Sequence, residues 1–187
     1  NFIFNPSAAP ASHGLGLGSG FSSFPTQAPL AGIQQSAAGA YAPGEMVIKP
    51  LDGCGGEGVF HLTAEDRNVT AILELGTRHG STFQIAQAYV PEIRDGDKRI
   101  IVVEGEPVGA VLRTPLHWET RANFHVGGTA VKSALTPRDR EICARIGPTL
   151  REFGIVFAGI DVIGRWLTEV NVTSPTGIQE INRLDGV

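Results

Sequence analysis

The chain has 187 residues, the length of one ordinary domain or of a domain with a tail. Its 15 Lys and Arg against 19 Asp and Glu leave a formal charge of −4, which argues against a nucleic-acid partner held by bulk positive charge. Its two cysteines, Cys54 and Cys143, make neither a disulfide framework nor a zinc set, so a reducing, cytoplasmic setting is expected. There is no apolar run long enough to span a membrane and no basic stretch leading into an apolar core, so no membrane partner is expected either.

Composition divides the chain. Residues 1–45 hold 7 Gly, 9 Ala, 6 Ser and 5 Pro, and Glu45 is their only Asp, Glu, Lys or Arg. Too few large apolar side chains are present to offset the entropy of ordering the backbone, so this segment reads as a disordered, low-complexity tail. The alternation Gly14-Leu15-Gly16-Leu17-Gly18 within it has neither the strand nor the helix that a phosphate-binding glycine loop requires.

From Met46 onward the pattern is that of a folded domain. Met46–Lys49, ended by Pro50, and Val59–Leu62 predict two short strands. The spacing of Ile72, Leu73 and Leu75 predicts a short helix over Val69–Gly76. Further strands are expected over Phe83–Val90, Lys98–Glu104 and Val108–Arg113, the last two joined as a hairpin through Gly105-Glu106. His117–Gly128 is polar, glycine-ended and without period, and reads as a mobile loop in which His125 covers a site. His117 and His125 lack two further ligands for zinc. A helix is expected over Pro137–Phe153, capped by Thr136 with Asp139 three residues on, kinked at Gly147-Pro148 and stopped at Gly154. On its apolar face Cys143 reads as a small buried hydrophobe. Ile155–Ile163 and Leu167–Thr173 follow as a strand pair.

Two motifs carry chemistry. Gly53-Cys54-Gly55-Gly56-Glu57-Gly58 has the letters of a dinucleotide fingerprint but leads into a strand, which leaves either an ordinary glycine-rich turn or a flexible hairpin whose N–H groups close over phosphates, with Lys49 beside it. In the last strand pair, a three-residue loop of Gly164-Arg165-Trp166 sets Asp161 opposite Glu169 and Gly159 opposite Asn171. Two carboxylates in that relation destabilise a sheet unless positive charge lies between them, and a magnesium ion would supply it. A two-residue turn would instead pair Asp161 with Thr168 and send Glu169 to the other face, leaving a solvated polar surface.

Five stretches then resemble the bacterial type of glutathione synthetase, an ATP-grasp ligase. They are Val47-Ile-Lys-Pro-Leu-Asp-Gly-Cys-Gly-Gly, Gln87-Ala-Tyr-Val-Pro, Asp95-Gly-Asp-Lys-Arg99, Glu119-Thr-Arg-Ala-Asn123 and Leu167-Thr-Glu-Val-Asn-Val-Thr-Ser-Pro175, in family order across residues 46–187. The resemblance implies an α+β, partial ATP-grasp fold of antiparallel sheets with flanking helices, behind the tail of residues 1–45. It implies that Lys49 contacts ATP phosphates under a flap of Gly53, Gly55 and Gly56. Gln87, Ala88, Tyr89 and Val90 would read adenine largely through backbone groups, with Asp97 near the ribose. Asp161, Glu169 and Asn171 would hold Mg2+ or Mn2+. Arg99, Arg113, Arg121 and Ser174 would hold the dipeptide and its acyl phosphate, Arg99 and Arg121 acting in catalysis.

The implied activity joins γ-glutamylcysteine to glycine with ATP cleavage, in a cytoplasmic enzyme whose relatives form homo-oligomers. A related ATP-grasp peptide ligase and a nucleotide-binding fragment without turnover are the alternatives. Against the family pattern, residues 1–45 show neither the N-terminal domain nor the second nucleotide-contacting lysine, and the family's last helix is cut off soon after Asn182. Thr129 stands where a basic residue is expected. A frame error or a fusion is the expected origin of residues 1–45.

Overall fold

Met46 and Ile48 point to one side of their strand and Glu45, Val47 and Lys49 to the other, and this alternation lays the first sheet against a helix. The computed structural model describes residues 44–51 and 53–186, which fall into two compact units. The expected tail, residues 1–45, lies outside the described residues except for its last two positions.

The smaller unit, residues 44–51 and 58–91, holds strands β1 (Glu45–Pro50), β2 (Phe60–Thr63) and β3 (Gln84–Ala88), with helix α1 (Val69–Gly76). The strands form an antiparallel sheet in the order β2-β1-β3. Met46, Ile48 and Leu62 are buried on one face under Val69, Ile72 and Leu73 of α1.

The larger unit, residues 53–57 and 92–186, is built on a five-stranded antiparallel sheet, β6-β5-β4-β7-β8. Its strands are β4 (Asp97–Val103), β5 (Glu106–Thr114), β6 (Thr129–Lys132), β7 (Phe157–Ile163) and β8 (Trp166–Asn171). One face carries Ile100, Val102, Ala110, Ile160, Val162 and Val170, buried under Ile142, Cys143, Ile146 and Leu150 of helix α2 (Pro137–Glu152). Helix α3 (Ile178–Asp185) packs Ile181 on Ile101 and Val111 of the opposite face. Cys143 is fully buried, and burial pushes its thiol up to about 11, so it is an inert core residue as expected.

The helix α2 has the expected cap. Thr136 Oγ1 accepts from the Asp139 N–H at 3.2 Å, and Asp139 Oδ2 accepts from the Thr136 N–H at 2.8 Å. The same Asp139 oxygen receives Lys98 Nζ of β4 at 2.7 Å, pinning the helix start to the sheet. The helix continues through Pro148 to Glu152, and Gly154 ends it at φ +67°.

Both hairpin turns have two residues: the first is displaced by one from its expected place, and the second is the shorter of the two turns the sequence allows. The β4–β5 turn is Glu104-Gly105 rather than Gly105-Glu106: both have positive φ, +50° and +83°, and Val103 pairs with Glu106. That is the twist-matched two-residue form. The β7–β8 tip is also a two-residue turn, Gly164-Arg165, with Ile163 opposite Trp166. A bulge between Asp161 and Val162 then restores the register, so that Asp161 faces Glu169 and Gly159 faces Asn171 after all. The extra residue is Thr168, whose Oγ1 donates to the Asp161 carbonyl at 3.1 Å. Strand β6 and the 3-10 turns at Pro91–Asp95 and Phe124–Val126 have no counterpart among the predicted elements, and helix α3 has one only in the truncated last helix that the resemblance implies.

The double role of Asp139 sets an order of stabilities. Thr136→Ala should lower unfolding stability by about 1 kcal/mol through the cap alone. Asp139→Ala should cost more, about 2 to 3 kcal/mol, because it also strands the Lys98 ammonium. Urea denaturation of both variants measures this, and equal losses would show that the Lys98 contact contributes nothing.

Candidate functional site

Alternation along β4, β5, β7 and β8 puts Asp97, Arg99, Arg113, Asp161, Glu169 and Asn171 on the face of the large sheet opposite α2. Four of these are buried charged residues: Asp97, Arg99, Arg113 and Asp161. Arg99 stands opposite Asp161 and grips it with two bonds, Nε to Oδ1 at 2.5 Å and Nη2 to Oδ2 at 3.0 Å. Arg113 reaches Asp161 Oδ2 at 2.9 Å and also donates to Asp97 Oδ2. Asn171 Nδ2 approaches Asp161 Oδ2 at 3.4 Å.

The two buried carboxylates titrate apart. Burial raises the Asp161 carboxyl, but Arg113 and Arg99 outweigh it and hold the group below its ordinary value. Burial together with the Asp161 charge pushes Asp97 up to about 7, against the opposing charges of Arg113, which also donates to it, and of Arg99. The Asp97 Oδ1 and the Arg113 Nε are buried without a hydrogen-bond partner.

These contacts alter one sequence argument. The positive charge demanded by an Asp161–Glu169 pair is supplied in the sheet itself, by Arg99 and Arg113, so register alone does not require a cation. The donor set still suits one: two carboxylates and a carboxamide, in register on one face, are the oxygen ligands a hard divalent ion takes.

A loop closes over this face. Arg99 Nη1 donates to the Thr176 carbonyl at 2.9 Å. A Cβ on Gly159 would lie 2.6 Å from Pro175 Cβ and 3.1 Å from Arg99 Cδ, so only glycine lets the 173–177 loop approach. Ser174 is exposed in that loop with φ +50°, a conformation uncommon for a residue with a side chain.

The glycine loop has its own partner in the same unit. Arg121 Nη1 donates to the Gly56 carbonyl at 2.9 Å, while its Nε and Nη2 fork Glu119 at 3.0 and 2.7 Å. That fork, with the Thr120 and Arg121 N–H groups, holds the Glu119 carboxyl down at about 2. At Gly56, with φ +86°, a Cβ would meet Asn123 Oδ1 at 2.9 Å. Gly53 and Gly55 lie in the same loop. The described residues hold no group of three or more His, Cys, Asp and Glu arranged to bind a metal, and the His125 side chain lies outside the described residues.

In the smaller unit, Lys49, Gln87 and Tyr89 share the sheet face opposite α1, whereas the buried Ala88 lies on the α1 side. Val90 is buried just beyond the strand. Sequence reasoning missed two residues of this face, Glu45 and His61. Their distant pairing, with a ring contact to Tyr89, follows only from the strand register.

The antiparallel sheets, flanking helices and charged sheet face define an ATP-grasp fold, which solved structures share. D-cycloserine synthetase DcsG superposes with a TM-score of 0.55 at 16% identity, over 82% of this chain and 54% of that one. D-alanine–D-alanine ligase from Bacillus anthracis, solved with ATP, gives 0.51 at 12% identity, over 76% of this chain and 47% of that one. At sequence level, residues 24–186 match the model of the prokaryotic glutathione synthetase, ATP-grasp domain. The chain belongs to this family. The glutathione synthetase of Brucella melitensis is 57% identical over 146 residues, covering 76% of this chain and 46% of that protein. That of Gloeobacter violaceus is 56% identical over 144 residues, covering 77% and 44%. The chain therefore spans about half the length of these curated relatives. No helix among the described residues is long and apolar enough to cross a membrane.

The raised Asp97 carboxyl fixes a pH dependence. Between its ordinary 3.8 and about 7 the folded state holds a proton that the unfolded state has lost, so this group's contribution to stability falls as pH rises through that window. Asp97→Asn should remove that fall, by up to about 1.4 kcal/mol per pH unit, in urea unfolding at pH 5 to 8. Identical slopes in both proteins would place the Asp97 carboxyl at its ordinary value.

Proposed function

We propose that the chain is the ATP- and metal-binding part of an ATP-dependent ligase that joins γ-glutamylcysteine to glycine, giving glutathione, ADP and phosphate. The observation that carries this reading is the in-register set Asp161, Glu169 and Asn171 on one sheet face beside two buried arginines, in a member of this family.

Phosphorylating a carboxylate and then letting an amine displace the phosphate gathers negative charge in a small space. Catalysis is then mainly positioning and electrostatic stabilisation, with no side-chain nucleophile. Arg99, forked on Asp161, and Arg113, whose Nη2 lies between Asp161 and Asp97, suit the task because both are already held in place, so little side-chain entropy is lost when they meet substrate oxygens. We assign them, with Arg121 and Ser174, to the dipeptide and its acyl phosphate. Arg121 also keeps the glycine loop in place through the Gly56 carbonyl.

Lys49 is assigned to the ATP phosphates as a point charge, with Gly53, Gly55 and Gly56 offering backbone N–H groups. Gln87, Ala88, Tyr89 and Val90 are assigned to adenine and Asp97 to the ribose region. Asp161, Glu169 and Asn171 would hold Mg2+ or Mn2+, which supplies charge neutralisation at the transferring phosphoryl group.

A coupled ADP-release assay tests the reading. Release should require γ-glutamylcysteine and glycine together, and Glu169→Gln should reduce it more than about 100-fold while leaving the fold intact, the scale of a lost electrostatic contact in catalysis. Release with other amino acids would point to a related peptide ligase, and ATP binding without release to a nucleotide-binding fragment.

A further inference from the structure

On the sheet face of the smaller unit opposite α1, side chains from β1, from β2 and from the residue after β3 meet in a way no assigned role uses. Glu45 opens β1, His61 lies on β2 opposite Val47, and Tyr89 follows β3 directly. The His61 and Tyr89 rings stack with centroids 3.8 Å apart and planes 14° from parallel. On its far edge, His61 Nε2 is 2.6 Å from Glu45 Oε2. Tyr89 is 4% exposed, so its ring is clamped rather than resting on the surface.

A stacked pair alone leaves one ring free to slide or turn in its plane. The Glu45 carboxylate removes that freedom by accepting a hydrogen bond from the imidazole edge. The backbone of residues 88–90 carries the N–H and C=O groups that the proposed function assigns to adenine, and Tyr89 is the middle residue. Holding its ring restrains the Cα that joins those peptide groups. Lys49, the phosphate residue, sits on the same face but has no part in this stack.

We propose that His61, oriented by Glu45, is a positioning residue that holds the Tyr89 segment in its base-reading conformation and thereby sets the preference for adenine. This rests on the assignment of residues 87–90 to the base. It separates recognition of the base from recognition of the phosphates: losing His61 should weaken binding of ATP but not of a ligand with the same phosphates and no base.

The test is equilibrium binding of ATP and of inorganic tripolyphosphate to the full 187-residue chain and its variants. Wild type should bind ATP more tightly than tripolyphosphate. His61→Ala should weaken ATP about five- to tenfold, the worth of one ring stack and one hydrogen bond, and leave tripolyphosphate unchanged. His61→Phe keeps the stack and should recover part of the preference, and Glu45→Gln, which keeps an acceptor, most of it. Equal weakening of both ligands in His61→Ala, or an unaltered ATP preference, overturns the positioning role while leaving the base assignment standing. Absence of any ATP preference in wild type overturns the base assignment and this inference with it. Should His61→Ala not fold, the ATP-to-tripolyphosphate ratio of His61→Phe and Glu45→Gln decides: a ratio equal to wild type in both refutes the role.

Discussion

The Arg99–Asp161 fork is the contact on which the larger unit's functional face depends. A charged pair this deeply buried is expensive to desolvate, and removing one partner from such a pair costs about 3 to 5 kcal/mol, because the other is left uncompensated. Here the cost is met by geometry: cross-strand neighbours on β4 and β7, two parallel bonds, and a second cation in Arg113. The fork also leaves one guanidinium nitrogen to hold the Thr176 carbonyl. A side chain that answers a carboxylate in the sheet thus anchors the loop above it, and the bare backbone of Gly159 makes the room. One guanidinium links the sheet charges to the loop.

The smaller unit solves a simpler problem. Its α1 face is an ordinary alternating pattern burying Met46, Ile48 and Leu62 under a short helix. That leaves the other face available for polar groups, provided each has a partner. Glu45 and His61 are each other's partner, and the Tyr89 ring covers the imidazole. The contact costs little stability, because the pair is only partly buried.

The strand pair carrying Asp161 shows how far the sequence could be read. Apolar runs located both strands, and a three-residue loop would put Asp161, Glu169 and Asn171 on one face, whereas a two-residue turn would send Glu169 to the other. The strands instead combine a two-residue turn with a bulge at Thr168, and the two deviations cancel at Asp161. Local turn chemistry and long-range register are separate constraints, and only the second was visible in the carboxylate spacing. Helix α2 was legible because its cap, its proline and its apolar face all fall within a few residues. Strand β6 is four residues long with only Ala130 and Val131 apolar, and α3 has too short a periodic run, so neither rose above the pattern of a loop. The ion pairs Arg99–Asp161 and Arg113–Asp97, and the pairing of Glu45 with His61, join positions far apart in sequence. Nothing short of the register reveals them.

That the sheet neutralises Asp161 internally bears on the proposed chemistry. A cation site built from unpaired carboxylates would repel itself whenever empty, and the face would have to deform to relieve it. With Arg99 and Arg113 paired to Asp161, the charges of this face are held in fixed positions by the sheet itself. Preorganised dipoles and charges are what electrostatic catalysis requires. The same arrangement explains why Asp97 is held near neutrality. Asp161 has two arginines and remains ionised, while Asp97 must share Arg113 with it across a buried face, and the cheaper state for the second carboxyl is the protonated one. The pair divides into an anion that fixes the arginines and a neighbour whose carboxyl is raised toward neutrality.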